Sequence, residues 1–230
     1  MTRIKLCGLM RIRDIEAAND IRPDYIGFVF DKKSRRYVTP QQAALLRMHL
    51  AEGIWTVGVF VNETPEYAAQ LLNSGIIDIA QLHGAEDETY IRHMRAMTLA
   101  PLIQAFRIGG ARTEEEKARA EKEIRAAGAS SADVVLLDAG AGGGTGFDWT
   151  FLKPGTDGDS AARGPGRPYF LAGGLNPGNV TEAVRLLHPY AVDVSSGIET
   201  DGVKDPAKMA AFAAAVRAAD AAAEKGGAEQ

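Results

Sequence analysis

The chain has 230 residues, 46% of them apolar and 24% charged, which is the composition of a water-soluble globular protein with room for one large barrel or two small domains. A net charge of −4 offers no basic face to nucleic acid or an acidic membrane, and no apolar run approaches the ~18 residues of a membrane span. One cysteine excludes an internal disulfide and any CxxC motif, and His49, His83, His93 and His188 lack HExxH spacing. The chain enters its first strand without a signal-peptide pattern. These features predict a cytoplasmic protein with no metal and no cofactor.

Strand and helix patterns alternate along the chain. Residues 4–7 read as a first strand and 12–21 as a helix with Ile15, Ala18 and Ile21 on one face. Strand two covers 25–30. Thr39-Pro40 and Thr64-Pro65 each supply a cap and a first-turn proline, on either side of strand three at 55–61. Strand four covers 77–82 and precedes a helix at 88–97; strand five covers 102–108. A charged, largely exposed helix spans 113–127, strand six 134–137, and a short sixth helix 147–152. The last helix spans 205–223, with Met209, Phe212 and Val216 facing inward. Residues 155–167 are rich in Gly, Pro, Asp and Ser and read as a surface insertion. Residues 221–230 read as a fraying tail beyond a single domain at 1–220.

Residues 169–197 carry the strongest local signal. A buried strand, Tyr169-Phe170-Leu171-Ala172, runs into Gly173-Gly174, and Asn176-Pro177 reads as the cap and first turn of a helix. Val180, Ala183, Val184 and Leu187 repeat at helical spacing. A strand at 191–194 then ends in Ser195-Ser196-Gly197. Two successive strand ends thus offer bare backbone N–H groups and hydroxyls, which suits an anion without Lys or Arg. Each loop alone is an ordinary turn. Together, in a series of βα units, they match the phosphate loops after strands seven and eight of a (β/α)₈ barrel. An open doubly wound sheet fits less well, because no GxGxxG follows the first strand. The expected fold is α/β, a single (β/α)8 TIM barrel.

In such a barrel the strand C-termini converge, bringing together Cys7, Arg36, His83, Arg107, Asp138, Asp193, Ser195 and Ser196. A thiol and a carboxylate on opposite sides of the mouth, Cys7 and Asp138, could serve as base and acid. A modest depression of the thiol pKa would give thiolate at neutral pH. Desolvation behind Val134-Val135-Leu136-Leu137 would keep Asp138 protonated. The plainer alternatives are a buried apolar cysteine and an aspartate capping the Gly-rich loop. His83 is equally compatible with a structural strand-end histidine.

The ordered segments Lys5-Leu6-Cys7-Gly8, Ser34-Arg35-Arg36-Tyr37-Val38, Val57-Gly58-Val59-Phe60-Val61-Asn62, Gln81-Leu82-His83-Gly84, Leu136-Leu137-Asp138, Leu171-Ala172-Gly173-Gly174-Leu175-Asn176-Pro177 and Val192-Asp193-Val194-Ser195-Ser196-Gly197-Ile198-Glu199 resemble the phosphoribosylanthranilate isomerases of tryptophan biosynthesis. The resemblance spans nearly the whole chain. It implies an Amadori rearrangement of N-(5-phosphoribosyl)anthranilate to 1-(2-carboxyphenylamino)-1-deoxyribulose 5-phosphate. It further implies Asp138 as general acid, Cys7 as general base, Arg36 on the anthranilate carboxylate, and Gly173, Gly174, Ser195, Ser196 and Gly197 on the phosphate. Asp193 and His83 would support the substrate or the catalytic groups. The expected partner is this small-molecule substrate alone, with no nucleic acid and no membrane, acting on a monomer, with a homodimer as the alternative.

Two departures from the family pattern stand out. Arg35 occupies a position usually held by Pro, so it could compete for the carboxylate. The Gly143-Gly144-Thr145-Gly146-Phe147-Asp148-Trp149 segment lacks the usual two-residue separation before Phe147. Among rivals, an indole-glycerol-phosphate synthase needs a lysine, and none of the eight strand patterns ends in one. Metal-dependent epimerases need clustered His and carboxylate ligands. A non-catalytic phospholigand-binding barrel would have no need of both Cys7 and Asp138.

Overall fold

The computed structural model describes residues 1–109, 113–140, 152 and 164–227. Eight parallel strands follow one another around a closed barrel: β1 (Arg3–Cys7), β2 (Tyr25–Val29), β3 (Trp55–Phe60), β4 (Ile79–Leu82), β5 (Leu102–Arg107), β6 (Val134–Asp138), β7 (Tyr169–Ala172) and β8 (Ala191–Val194). Closure comes from β8 pairing with β1 in the register Lys5 to Asp193 and Leu6 to Val194. Among the described residues, seven helices cover the outside: α1 (Ile12–Ile21), α2 (Pro40–Met48), α3 (Pro65–Asn73), α4 (Glu88–Met97), α5 (Glu114–Ala129), α6 (Val180–Leu187) and α7 (Pro206–Gly227). The fold is the expected (β/α)8 barrel. The sixth helix expected at 147–152 lies outside the described residues except for Leu152, which is buried. The expected insertion also lies outside them, apart from residues 164–167.

Local chemistry sets the helix starts. Thr39 accepts a hydrogen bond from the Gln42 N–H, and Thr64 accepts one from the Tyr67 N–H, each with Pro at the first helical turn. Thr113 and Glu116 bond reciprocally at the head of α5. The α6 start departs from expectation. Asn176 Oδ1 accepts from the Gly178 N–H and Asn179 Oδ1 accepts from the Asn176 N–H. The chain therefore forms a side-chain-closed turn first, and α6 begins at Val180 rather than next to Asn176. The C-terminus departs too. Residues from 221 onward continue as the last turns of α7 through Gly227 rather than fraying at once.

Strand alternation divides the core into two shells. Tyr25, Val57, Ile79, Ile103, Leu136, Phe170 and Ala191 point into the barrel and fill its lower half. Their neighbours of opposite parity, such as Ile26, Ala80, Leu137 and Val192, pack against the helices. The same parity carries Lys5, Cys7, Gln81, Asp138 and Asp193 onto the inner face, above the apolar floor. One feature absent from the sequence reading is a hairpin after β8, formed by β9 (Glu199–Thr200) and β10 (Val203–Lys204).

Candidate active site

A cleft of about 340 Å³ opens at the C-terminal ends of the strands. Its walls include nine of the ten residues expected to form the site: Cys7, Arg36, His83, Asp138, Gly173, Gly174, Asp193, Ser195 and Ser196. Gly197 does not line it. A Cβ there would sit 1.9 Å from the Leu175 carbonyl oxygen, so its bare Cα lets the loop after β8 press against the loop after β7. Gly173 has φ of +94°, which favours glycine, and turns the chain directly beside the Asp138 carboxylate. Cys7, Val29 and Val59 form an apolar wall.

Cys7 is buried at the end of β1, and burial pushes its thiol pKa up. The nearby charges of Lys5 and Lys204 pull it down, and that of Asp193 adds to the rise. The net direction is upward, which corrects the expected depression: the resting group is a thiol. Lys5 is fully buried beneath it, with Nζ 3.0 Å from Asp193 Oδ1.

Asp138 also departs from expectation. Burial acts to raise its pKa, but a hydrogen bond from His83, the Gly140 N–H at 2.9 Å and the charge of Arg107 together bring it below the usual carboxylate value. The resting group is a carboxylate. It serves both readings left open by the sequence, capping the loop through Oδ1 while lining the cleft. Its Oδ2 lies 3.3 Å from His83 Nε2. The amide nitrogen of Gln81 is 2.8 Å from His83 Nδ1 and donates to it, so the ring proton sits on Nε2 and faces Asp138. Arg107 is exposed at the end of β5 and reaches the His83 carbonyl at 3.4 Å, so it stands outside the cleft wall.

Arg36 meets a partner that sequence reasoning missed. Its Nε lies 2.6 Å from Glu199 Oε1 and its Nη2 lies 3.0 Å from Oε2. Arg35 pairs with the same carboxylate and does not line the cleft. Lys204, buried at the end of β10, donates to Glu199 Oε1 and to the Ser195 carbonyl, both at 2.7 Å. Three cations thus share one carboxylate, leaving a net positive cluster beside the phosphate-type loop. A strand ending in lysine exists after all, on the hairpin. Glu199 closed the last family-like segment and was the available signal; Lys204, in a polar turn, gave none. Among the described residues no group of three His, Cys, Asp or Glu side chains could hold a metal, and no helix is long and apolar enough to cross a membrane.

A thiol and a carboxylate thus flank the paired glycine and hydroxyl loops, and the cleft wall also carries a guanidinium. The family described as N-(5'-phosphoribosyl)anthranilate (PRA) isomerase matches residues 4–215. The N-(5'-phosphoribosyl)anthranilate isomerase of Thermoanaerobacter sp. (strain X514) is 42% identical over 219 residues, covering 94% of this chain and 98% of its own. That of Herminiimonas arsenicoxydans is 40% identical over 225 residues, covering 96% and 95%. The crystal structure of phosphoribosyl anthranilate isomerase from Thermotoga maritima superposes with a TM-score of 0.76 at 33% identity, covering 95% of this chain and all of its own. A structure of such an isomerase in complex with reduced 1-(o-carboxyphenylamino)-1-deoxyribulose 5-phosphate gives 0.75 at 32% identity, with the same coverage. The chain belongs to the N-(5'-phosphoribosyl)anthranilate isomerase family and is an isomerase of tryptophan biosynthesis.

Proposed function

We propose that the cleft isomerises N-(5-phosphoribosyl)anthranilate with Asp138 as general acid and Cys7 as general base. The observation that carries this is their placement at the ends of β6 and β1, flanking the β7 and β8 loops in one cleft. The phosphate sits on the backbone of Gly173 and Gly174 and on Ser195 and Ser196, with Gly197 shaping that loop from behind. The anthranilate carboxylate meets Arg36. Glu199 occupies Nε and Nη2, so the ligand approaches from the Nη1 side of the fork. Asp193 holds the base of the Cys7 wall through Lys5.

Asp138 delivers a proton to the ribose ring oxygen, which opens the ring to a Schiff base. Cys7 removes the C2 proton, giving an enolamine that tautomerises to the ketone. The resting protonation states are the reverse of those used, so only a minor fraction of free protein is poised. Two substrate anions entering the cleft disfavour the charged carboxylate and raise the Asp138 pKa, so that it takes up a proton from solvent while the hydrogen bond from His83 Nε2–H keeps it oriented. The chemistry needs a proton donor and an acceptor, both supplied by side chains, so no metal or organic cofactor takes part.

The oligomeric state proposed is a monomer, with a homodimer as the alternative. The Thermotoga maritima phosphoribosylanthranilate isomerase is dimeric. The assigned location is the cytoplasm. The testing experiment follows loss of phosphoribosylanthranilate fluorescence on adding pure protein. Turnover that persists under exhaustive chelation supports the reading, and turnover lost to chelation and restored by metal overturns its cofactor-free mechanism.

A further inference from the structure

Lys5 has no place in the proton transfers just described, yet it is among the largest fully buried side chains of the protein. It stands two residues before Cys7 on β1, so strand alternation puts both side chains on the inner face. Its ammonium lies 3.0 Å from Asp193 Oδ1 across the β1–β8 pairing, and its charge acts on the Cys7 thiol on the same strand face. A buried cation is costly unless it is compensated, and here Asp193 is its ion-pair partner.

The remaining groups around Cys7 do not fill that role. Lys204, from β10, is committed to the Ser195 carbonyl, the Ser195 hydroxyl and Glu199. Arg36, from the loop after β2, lies across Gly8 and is held by Glu199. The neighbouring strand β2 presents Gly27, which has no side chain. Asp138 and His83 stand on the far wall of the cleft.

We infer that Lys5 is a positioning residue for the base: it is the fixed cation against which the Cys7 thiolate forms, and Asp193 sets how much of its charge the sulfur feels. This deepens the reading of Cys7 as general base and rests on it for its catalytic consequence. When the thiol loses its proton, the new anion forms beside a cation that is already in place. The opposing influences of Lys5 and Asp193 on the thiol have opposite signs, lowering and raising its pKa respectively.

Because Cys7 is the sole cysteine, its ionisation can be titrated without ambiguity, by thiolate absorbance or by the pH dependence of iodoacetamide alkylation, on the full chain. Lys5→Met is expected to raise the thiol pKa by about one unit or more, and Asp193→Asn to lower it by a similar amount. Opposite displacements support the proposal, because a merely structural disturbance moves both the same way. A wild-type thiol pKa in Lys5→Met, or displacements of the same sign, overturns it. If Lys5→Met fails to fold, the uncharged pair Lys5→Met/Asp193→Asn decides: a pKa above wild type supports the proposal, and one at or below it overturns it. The alkaline limb of kcat/KM should move with the thiol. A thiol that shifts while that limb stays fixed would leave the Lys5 coupling standing and remove Cys7 as the base.

Discussion

Arg36 and Glu199 form a two-point pair, Nε to Oε1 at 2.6 Å and Nη2 to Oε2 at 3.0 Å, that joins the loop after β2 to the hairpin after β8. The pair fixes the plane of the guanidinium, so the carboxylate of a ligand meets a preset donor rather than a mobile side chain. Glu199→Gln removes the anion while keeping one acceptor. The expected result is a KM rise of about 10-fold, or ~1.4 kcal/mol, with a smaller change in kcat and partial recovery in Glu199→Asp. Steady-state kinetics check this; an unchanged or lower KM would show that the added positive charge outweighs the lost alignment.

The resting states of Cys7 and Asp138 order the limbs of the pH profile. Asp138, held low, governs the acidic limb of kcat/KM, and Cys7, held high, governs the alkaline limb. Between them the product of protonated Asp138 and ionised Cys7 is constant, which gives a plateau. Cys7→Ser and Asp138→Asn should each lower kcat by at least about 10²-fold while analogues still bind. Residual activity in Cys7→Ser should lack the alkaline limb. Loss of the acidic limb instead would reverse this ordering.

Gly27 lies beside Cys7 in the β1–β2 register, and a Cβ there would stand 2.6 Å from the sulfur and 3.1 Å from the Cys7 Cα. Gly27→Ala must displace the thiol. A fall in kcat of about 10²-fold is expected, the scale of a 1 Å misplacement, with a smaller change in KM because the three atoms nearest the added methyl all belong to Cys7. Near-normal kcat would mean that the base tolerates movement.

At the opposite end of the barrel, Arg47 holds Asp78 with Nη2 to Oδ1 at 2.7 Å, and Asp78 accepts from the Thr56 N–H and hydroxyl, both at 2.8 Å. Burial acts to raise the Asp78 pKa, but these bonds bring it below the usual value. The stabilisation is therefore full above the unfolded carboxylate pKa of ~3.9 and is lost as pH falls through the lower folded value. Asp78→Asn should cost ~1–3 kcal/mol at pH 7 by denaturant titration, with the gap to wild type narrowing below about pH 4. A gap that widens on acidification would contradict the assigned sign.

The barrel was legible in the chain because its signals are local. Alternating apolar strands, Thr-Pro helix starts and glycines at strand ends depend on neighbours two to four residues away, and the structure places them as read. Strand-end position alone was enough to gather Cys7, His83, Asp138 and Asp193 in one cleft, since parallel closure sends all strand C-termini to one face. What the sequence could not decide was charge state and partnership. Asp138 follows four apolar residues, which suggested a raised pKa; only the fold brings His83 from β4 and the Gly140 N–H to it and reverses the direction. Cys7 looked free to ionise, and only the fold shows it buried between Lys5 below and the apolar Val29 and Val59 beside it. Arg36 and Glu199 are 163 residues apart in the chain, and Lys5 and Asp193 are 188 apart. Electrostatics acts through space over a few ångströms, so these pairings exist only once the last strand has closed on the first.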